Sequence, residues 1–328
     1  MVVAALIAAL ATASPSTSAS LPLPAPPHSD SIAARAGRYL AVRAGLGAFS
    51  GAVLIARGGR VIFRRGYGYA DVEHRAPYTP DTRHEVASVS KMFTAMAALK
   101  LRDAGRLKLD DPISRYLPDA PATWRDITVT QLIHHTSGIP DYEQRLELGS
   151  DRYNAYMVRP EASREIYEQA LKDTLDFPPG SKFSYSNTGY IVLSHVIERA
   201  AGVPFGDYVR RTLLDPAGMK HSGVLGVGAR PEGLAIGYTH ADLGWPRTLA
   251  GVSLTDGHLA RVPPLALTPP EGDAWLYSTV DDLYRWSVVM DGGALVPTAE
   301  VVEALTPGQG NYAGEDHVAT RADSAASR

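Results

Sequence analysis

Residues 88–105, with the sequence SVSKMFTAMAALKLRDAG, contain the pattern on which the organisation of the chain depends. Apolar side chains supply much of one helical face along this stretch, at Met92, Phe93, Met96, Leu99 and Leu101. This spacing is typical of an amphipathic helix, and Gly105 is a suitable residue for its end. We therefore predict a long helix that opens at Ser88.

A serine and a lysine stand at the start of this predicted helix. Lys91 is the one lysine of six that follows a serine by three residues, and this spacing places Ser88 and Lys91 on one face. A serine hydroxyl is a weak nucleophile that needs a neighbouring base, and a lysine serves when its surroundings leave it neutral. Taken alone, the pair fits more simply a polar helix start followed by a solvated lysine.

A second pattern, Tyr185-Ser186-Asn187, follows a Pro-Pro-Gly turn and precedes another predicted helix. A phenol beside a cationic lysine ionises more readily, so Tyr185 is a candidate proton shuttle. The Asn187 amide has donors and an acceptor with which to orient an amide substrate or hold Lys91. The alternative is a packed aromatic residue beside a turn residue.

The rest of the chain predicts an α+β fold, because strands come first and helices dominate the middle. Residues 50–55 and 61–69 are β-rich and are separated by Arg57-Gly58-Gly59-Arg60, which predicts a hairpin. Further helices are predicted over residues 128–135, 163–173, 189–201 and 204–214, and from Ser278 or Thr279 with Asp281 and Asp282 suited to capping.

Composition excludes several classes of function. The 328 residues include 32 basic and 35 acidic side chains, and this balance gives no electrostatic footprint for nucleic acid or an anionic membrane. The chain has no cysteine, which excludes disulfides, cysteine nucleophiles and thiolate metal sites.

The first 30 residues combine an uncharged apolar run with a Pro-rich stretch. This pattern predicts a signal peptide and linker, hence a secreted or periplasmic protein, although a buried Ala-rich helix also fits. No later run is apolar enough for a stable membrane span.

Taken together, Ser88-x-x-Lys91 and Tyr185-x-Asn187 make the chain resemble the serine β-lactamase and penicillin-binding-protein superfamily. The resemblance is to its class C-related branch of β-lactamases, D-Ala-D-Ala carboxypeptidases, D-aminopeptidases and esterases. Four further segments match in family order: HEVA at 84–87, LIHHTSGIP at 132–140, DPAGM at 215–219 and LYSTVDDL at 276–283.

The resemblance implies a β-lactamase/transpeptidase-like fold, with an antiparallel sheet flanked by helices and a mostly helical subdomain, over residues 31–305. It also implies roles for single residues. Ser88 is the acylated nucleophile, Lys91 its activating partner, Tyr185 the general base or acid, and Asn187 a contact for lysine and substrate. The oxyanion hole would use the Ser88 N–H and one N–H from a late strand.

The chain departs from the family pattern in two places. The family's third element, Lys or His before a small residue and Gly on the late strand, is not found in the polar sequence after Leu305. We therefore expect the C-terminal sheet strands to be missing and residues 306–328 to form a disordered tail, typical of a truncated or frameshifted end. Loss of one oxyanion donor slows turnover about 100- to 1000-fold, which puts activity in doubt. The second departure is Trp275, where the family has glycine; it either narrows the substrate pocket or packs.

Other chemistries have less support. The pair His134-His135 lacks a third metal ligand at useful spacing, so a histidine at a helix end is the better interpretation. No Gly-x-Ser-x-Gly elbow is present. We predict a serine hydrolase without cofactor or metal, acting on D-amino-acid peptides, β-lactams or small esters. The alternative is a catalytically silent binding protein or a fragment of the same fold.

Overall fold

The computed structural model describes residues 31–147, 150, 152–153, 162–225, 231–240, 259–261, 272–293 and 295. The helices are α1 (Ile32–Gly45), α2 (Ser90–Asp103), α3 (Val129–Ile133), α4 (Tyr142–Leu146), α5 (Ala162–Ala170), α6 (Asn187–Ala201), α7 (Phe205–Val209) and α8 (Val280–Gly292). The strands are β1 (Gly51–Arg57), β2 (Arg60–Tyr67), β3 (Tyr69–Asp71), β4 (Ala76–Pro77), β5 (His84–Glu85), β6 (Gly223–Val224), β7 (Tyr238–His240), β8 (Leu259–Arg261) and β9 (Leu276–Ser278). The predicted signal segment and the tail after Leu305 lie outside the described residues.

The predicted hairpin is confirmed. Strands β1 and β2 pair antiparallel from Gly51↔Tyr67 to Arg57↔Arg60. Gly58 and Gly59 make the turn at φ +56° and +74°, a left-handed conformation that glycine adopts without steric cost. Helix α1, which the sequence analysis did not predict, packs on β2.

A small antiparallel sheet leads the chain into the start of α2. Its order is β5-β9-β6, with His84 opposite Ser278 and Gly223 opposite Tyr277. The Val86 N–H then donates to the Leu276 carbonyl at 3.0 Å. This sheet therefore fixes the segment that carries Ser88.

The main hydrophobic core lies among the helices. Helix α6 contacts α2, α3, α5 and α7, and most of its residues are buried, as expected of a helix that is apolar nearly all round. Phe93 of α2 lies between two buried tryptophans, with ring centroids 6.3 Å from Trp275 and 4.3 Å from Trp286.

Helix ends follow the sequence signals with some differences. Thr128 caps α3 in a capping box with Gln131, and Gly202 ends α6 at φ +66°. Helix α8 is capped by the Thr279 hydroxyl, not by Asp281 or Asp282. Instead, the Asp282 carboxylate accepts hydrogen bonds from the His221 N–H at 2.7 Å and from the Ser222 hydroxyl at 2.8 Å.

Three other helices differ from prediction in their bounds. Helix α2 begins at Ser90 after a 3-10 turn, Ala87–Val89. The segment predicted as one helix over 204–214 forms α7 and then a π-helical turn, Arg210–Leu214. Helix α5 ends at Ala170, three residues before the predicted end.

The α+β prediction itself is confirmed. Within the described residues, every helix is too short or too polar to cross a bilayer.

Candidate active site

Ser88 lies in the 3-10 turn between strand β5 and helix α2. Ala87, the first residue of the turn, has φ +47°, a left-handed conformation that costs a non-glycine residue free energy. The Ser88 side chain is half-buried, while Ser90 and Lys91 after it are fully buried. The turn thus holds the hydroxyl at the edge of the core.

Lys91 is a fully buried lysine whose ammonium contacts three acceptors. Its Nζ lies 3.1 Å from Ser88 Oγ, 2.8 Å from Asn187 Oδ1 and 3.0 Å from the Asp273 carbonyl oxygen. A buried ammonium is costly unless its donors are paired, and these acceptors supply the pairing. The i, i+3 spacing of Ser88 and Lys91 therefore produces direct contact.

Tyr185 completes the group around the serine. Its hydroxyl donates to Ser88 Oγ at 2.9 Å, and Lys91 Nζ lies 5.1 Å from the centroid of its ring. The His135 ring stacks on the Tyr185 ring at 4.5 Å with 24° between the planes. The structure thus brings the serine, the amine and the phenol to one place.

Asn187 is the first residue of α6, and its position is fixed from two directions. The Ser186 hydroxyl caps the helix by accepting from the Gly189 N–H at 3.0 Å. The Asn187 N–H donates to Asp141 Oδ1 at 2.9 Å. Since Asn187 Oδ1 then accepts from Lys91, four predicted site residues form one hydrogen-bonded group.

Trp275 is not part of this group, and its proposed contact with substrate needs correction. Its side chain is 0% exposed, and its ring packs edge-on against Phe93 and Phe205. The indole N–H donates to Thr94 Oγ1 at 2.9 Å. The sequence left two roles open for Trp275, narrowing the substrate pocket or packing. Its contacts match the second role, because the ring packs in the core against α2.

His135 is the first of the site residues that the sequence analysis did not assign. It is buried at φ +55°, and its Nδ1 accepts the Ser186 N–H at 3.1 Å. Burial, and then the charge of Lys91, lowers the pKa of His135 to about 3, so the ring is neutral at physiological pH. The neutral ring supports Tyr185 from behind.

Three carboxyl groups near Lys91 were also missed. Asp141 and Asp273 are buried and Glu143 is half-buried, and they interact electrostatically with one another. Burial raises the pKa of Asp141, and burial followed by the charges of Asp141 and Asp273 raises the pKa of Glu143 to about 7. The Pro-Asp-Tyr-Glu sequence after the Thr-Ser-Gly loop was the available signal for two of them.

Comparison with known proteins places this geometry in a family context. A family model described as Beta-lactamase matches residues 40–321. Penicillin-binding protein 4* of Bacillus subtilis (strain 168) is 28% identical over 264 residues, which cover 79% of this chain and 56% of that protein. The chain therefore spans little more than half the length of this curated relative.

Solved structures show the same likeness. The penicillin binding protein from Bacillus halodurans superposes with a TM-score of 0.68 at 28% identity, covering 82% of this chain and 77% of the other. The D-amino acid amidase from Ochrobactrum anthropi SV3, complexed with D-phenylalanine, gives a TM-score of 0.59 at 27% identity, covering 74% and 66%.

Proposed function

The chain belongs to the Beta-lactamase family, and on this basis we propose that it is a serine hydrolase that forms an acyl-enzyme at Ser88. The observation that carries the proposal is the position of Ser88 Oγ, which lies within hydrogen-bond distance of both Lys91 Nζ and Tyr185 OH. A nucleophile in contact with a base that is itself held in place is the arrangement that covalent catalysis requires.

The proposed reaction has two steps. In acylation, Ser88 Oγ bonds to the substrate carbonyl carbon, the serine proton passes to the Lys91–Tyr185 pair, and that pair then protonates the leaving group. In deacylation, a water molecule gives its proton to the same pair as its oxygen bonds to the acyl carbon, and the pair returns that proton to Ser88 Oγ when the Ser88–acyl bond breaks. Asn187 holds Lys91 through its Oδ1 in both steps.

The contacts favour Tyr185 as the group that exchanges the proton. The Lys91 ammonium is engaged by acceptors from three segments of chain, whereas Tyr185 is half-buried at the edge of the site. A cation 5.1 Å from the ring centroid stabilises a developing phenolate. In this assignment Lys91 supplies charge and position, and Tyr185 moves the proton.

Carbonyl compounds that acylate serine are the proposed substrates, namely D-amino-acid peptides, β-lactams or small esters. The likeness to a penicillin-binding protein and to a D-amino acid amidase supports the first two classes. We further propose that the protein is exported, because residues 1–30 have the pattern of a signal peptide and linker.

A labelling experiment tests the acyl-enzyme directly. We expect a fluorescent penicillin or a fluorophosphonate to attach covalently to Ser88, as located by peptide mass spectrometry. Ser88→Ala should abolish labelling and turnover while leaving the circular dichroism spectrum unchanged, since the hydroxyl is lost from a half-buried turn. Ser181→Ala, at an exposed serine, is the matched control and should label like the wild type.

Two outcomes would count against the proposal. Label on another serine would show that the nucleophile is wrong. Absence of any adduct in folded protein, with both probes and with small ester substrates, would favour a catalytically silent binding protein of the same fold.

A further inference from the structure

The Asp273 carbonyl is the one acceptor of Lys91 named above that comes from outside the two sequence motifs. The residues around it are tied to α2 by three hydrogen bonds. Thr94 Oγ1 donates to the Gly272 carbonyl at 2.7 Å, Trp275 Nε1 donates to Thr94 Oγ1 at 2.9 Å, and the Leu276 N–H donates to Ser90 Oγ at 2.9 Å. We call residues 272–276 the clamp segment.

Helix α6 encloses the clamp segment from the other side. A Cβ atom on Gly272 would lie 1.7 Å from the Tyr190 carbonyl oxygen, so the backbone of the segment is in direct contact with α6. Any side chain at this position would force the segment away from α6. The Asp273 carbonyl is therefore held at Lys91 by packing on both sides.

The Asp273 side chain is itself buried, with 1% of the residue exposed. Its Oδ2 accepts from the Tyr142 hydroxyl at 3.1 Å, and its Oδ1 makes no hydrogen bond within the described part of the chain. A buried carboxylate with so few donors is costly unless a positive charge is near. Because carboxylate and carbonyl belong to one residue, the negative charge of Asp273 cannot lie far from the Lys91 ammonium.

Several other groups face Lys91 and contribute to the electrostatic potential at its ammonium group. From the loop before α6 and from α6 come the rings of Tyr185 and Tyr190, and from the end of α3 comes the neutral ring of His135. From the start of α4 come the carboxyl groups of Asp141 and Glu143. Asp141 is engaged by the Asn187 N–H and Glu143 by the Tyr153 hydroxyl.

We propose that Asp273 is a positioning residue for the nucleophilic centre: its carboxylate, held by Tyr142, is the counter-charge of Lys91, and its carbonyl fixes the ammonium beside Ser88. This inference rests on the proposed function, since it concerns the ionisation of the Ser88–Lys91–Tyr185 unit. No motif that the sequence analysis used includes Asp273 or Tyr142. The assignment adds a charge from a segment about 180 residues along the chain.

The test compares Asp273→Asn with the wild type. The amide is the same size and its oxygen can still accept from the Tyr142 hydroxyl, so the change removes the negative charge and replaces the other oxygen with an N–H donor. We expect the limb of the pH profile for acylation that reports the Ser88–Lys91–Tyr185 unit to move to lower pH by about 1 unit. Asp215→Asn, at an exposed aspartate, is the matched control and should leave the profile in place.

A second readout does not depend on activity. The titration of the Lys91 side chain is followed by NMR on protein with ¹³C-labelled lysine, with its resonance assigned from Lys91→Arg. The resonance should titrate at lower pH in Asp273→Asn than in the wild type, also by about 1 unit. A wild type that takes no label at Ser88 refutes the proposed function, and this titration is still readable in that protein.

Tyr142→Phe tests the anchor separately. The carboxylate stays but loses its donor, so we expect acylation to slow several-fold with the pH profile unshifted. The proposal is overturned if Asp273→Asn moves neither the profile nor the lysine titration. If Asp273→Asn does not fold, a wild-type acylation rate in Tyr142→Phe overturns it.

Discussion

For Lys91, the sequence predicted one contact correctly but not the burial of the side chain. Its distance of three residues from Ser88 predicted a shared face, and the structure confirms the contact at 3.1 Å. What the spacing could not predict is complete burial, which depends on acceptors from Asn187 and Asp273, 96 and 182 residues away. The local spacing identified Ser88 and Lys91 as partners. The burial and the charges around Lys91 depend on packing between distant segments, which the spacing does not reveal.

Glu143 provides a prediction at the residue scale. Burial raises its pKa to about 7 in the folded chain, against 4.5 for an exposed glutamate, so the folded state favours the protonated form. This stabilisation is complete below pH 4.5 and is lost as the pH rises through 7. Relative to Glu143→Gln, the wild type should therefore lose about 3 kcal/mol of unfolding free energy over this window.

Urea unfolding at several pH values between 4.5 and 8 measures this difference. Glu147→Gln, at an exposed position in the same part of the chain, is the control and should parallel the wild type. Parallel curves for the wild type and Glu143→Gln would show that this carboxyl group does not titrate as described.

At the scale of elements, the boundaries that the sequence predicted well are those with a local chemical signal. Thr128 caps α3, and Gly202 ends α6 in the left-handed conformation, both as expected. The start of α2 was placed two residues early, because apolar periodicity does not distinguish a helix from the 3-10 turn that precedes it. Strand β5 has two residues and exists through its pairing with β9, which no local pattern reveals.

Gly138, in the loop between α3 and α4, allows a prediction on an element connection. It has φ +81°, and a Cβ there would lie 2.2 Å from the Phe177 carbonyl oxygen. Gly105 has φ +66°, but a Cβ atom there would have nothing within 4 Å. An alanine at this position would therefore add backbone strain but no steric clash. We expect Gly105→Ala to cost about 1 kcal/mol and Gly138→Ala about 3 kcal/mol or more.

Chemical denaturation of both variants measures the two costs. Because the loop also positions the chain before Tyr185, through the Ser184 N–H to the His135 carbonyl, Gly138→Ala should slow acylation as well. Equal stability losses in the two variants would mean that Phe177 moves away at no cost.

At the scale of the whole molecule, the described residues form nine strands, most of them two or three residues long, and a helical core that contains buried ionisable groups. The α+β class followed from the order of elements along the sequence. The burial of His84 and His135 and the partial burial of His195 did not, because a histidine in an apolar stretch of sequence looks the same whether its side chain is solvated or not. Burial lowers the pKa of His84 and His195 to about 4 and that of His135 to about 3.

These histidines predict sensitivity to acid. A pKa lowered in the folded state stabilises the fold above the ordinary histidine value of 6.5, and the stabilisation is lost as the pH falls towards 4. With three such groups the unfolding free energy should fall by up to about 4 kcal/mol per pH unit near pH 5, less the smaller opposite effect of Glu143.

Guanidinium unfolding at pH 7, 6, 5 and 4 gives this slope. His195→Gln should reduce it by about one third, since one of three groups no longer titrates. His221→Gln, at an exposed position, should leave it unchanged. A stability that is flat between pH 7 and 5 would contradict the prediction.

The clamp segment links the surroundings of Ser88 to the unfolding of the interior. Its hydrogen bonds and its contact with α6 use Thr94 and Tyr190, which are buried in the interior, so within the described residues Ser88 is joined directly to the folded core. We therefore expect the proposed nucleophile to keep its surroundings until the interior that holds the clamp segment unfolds.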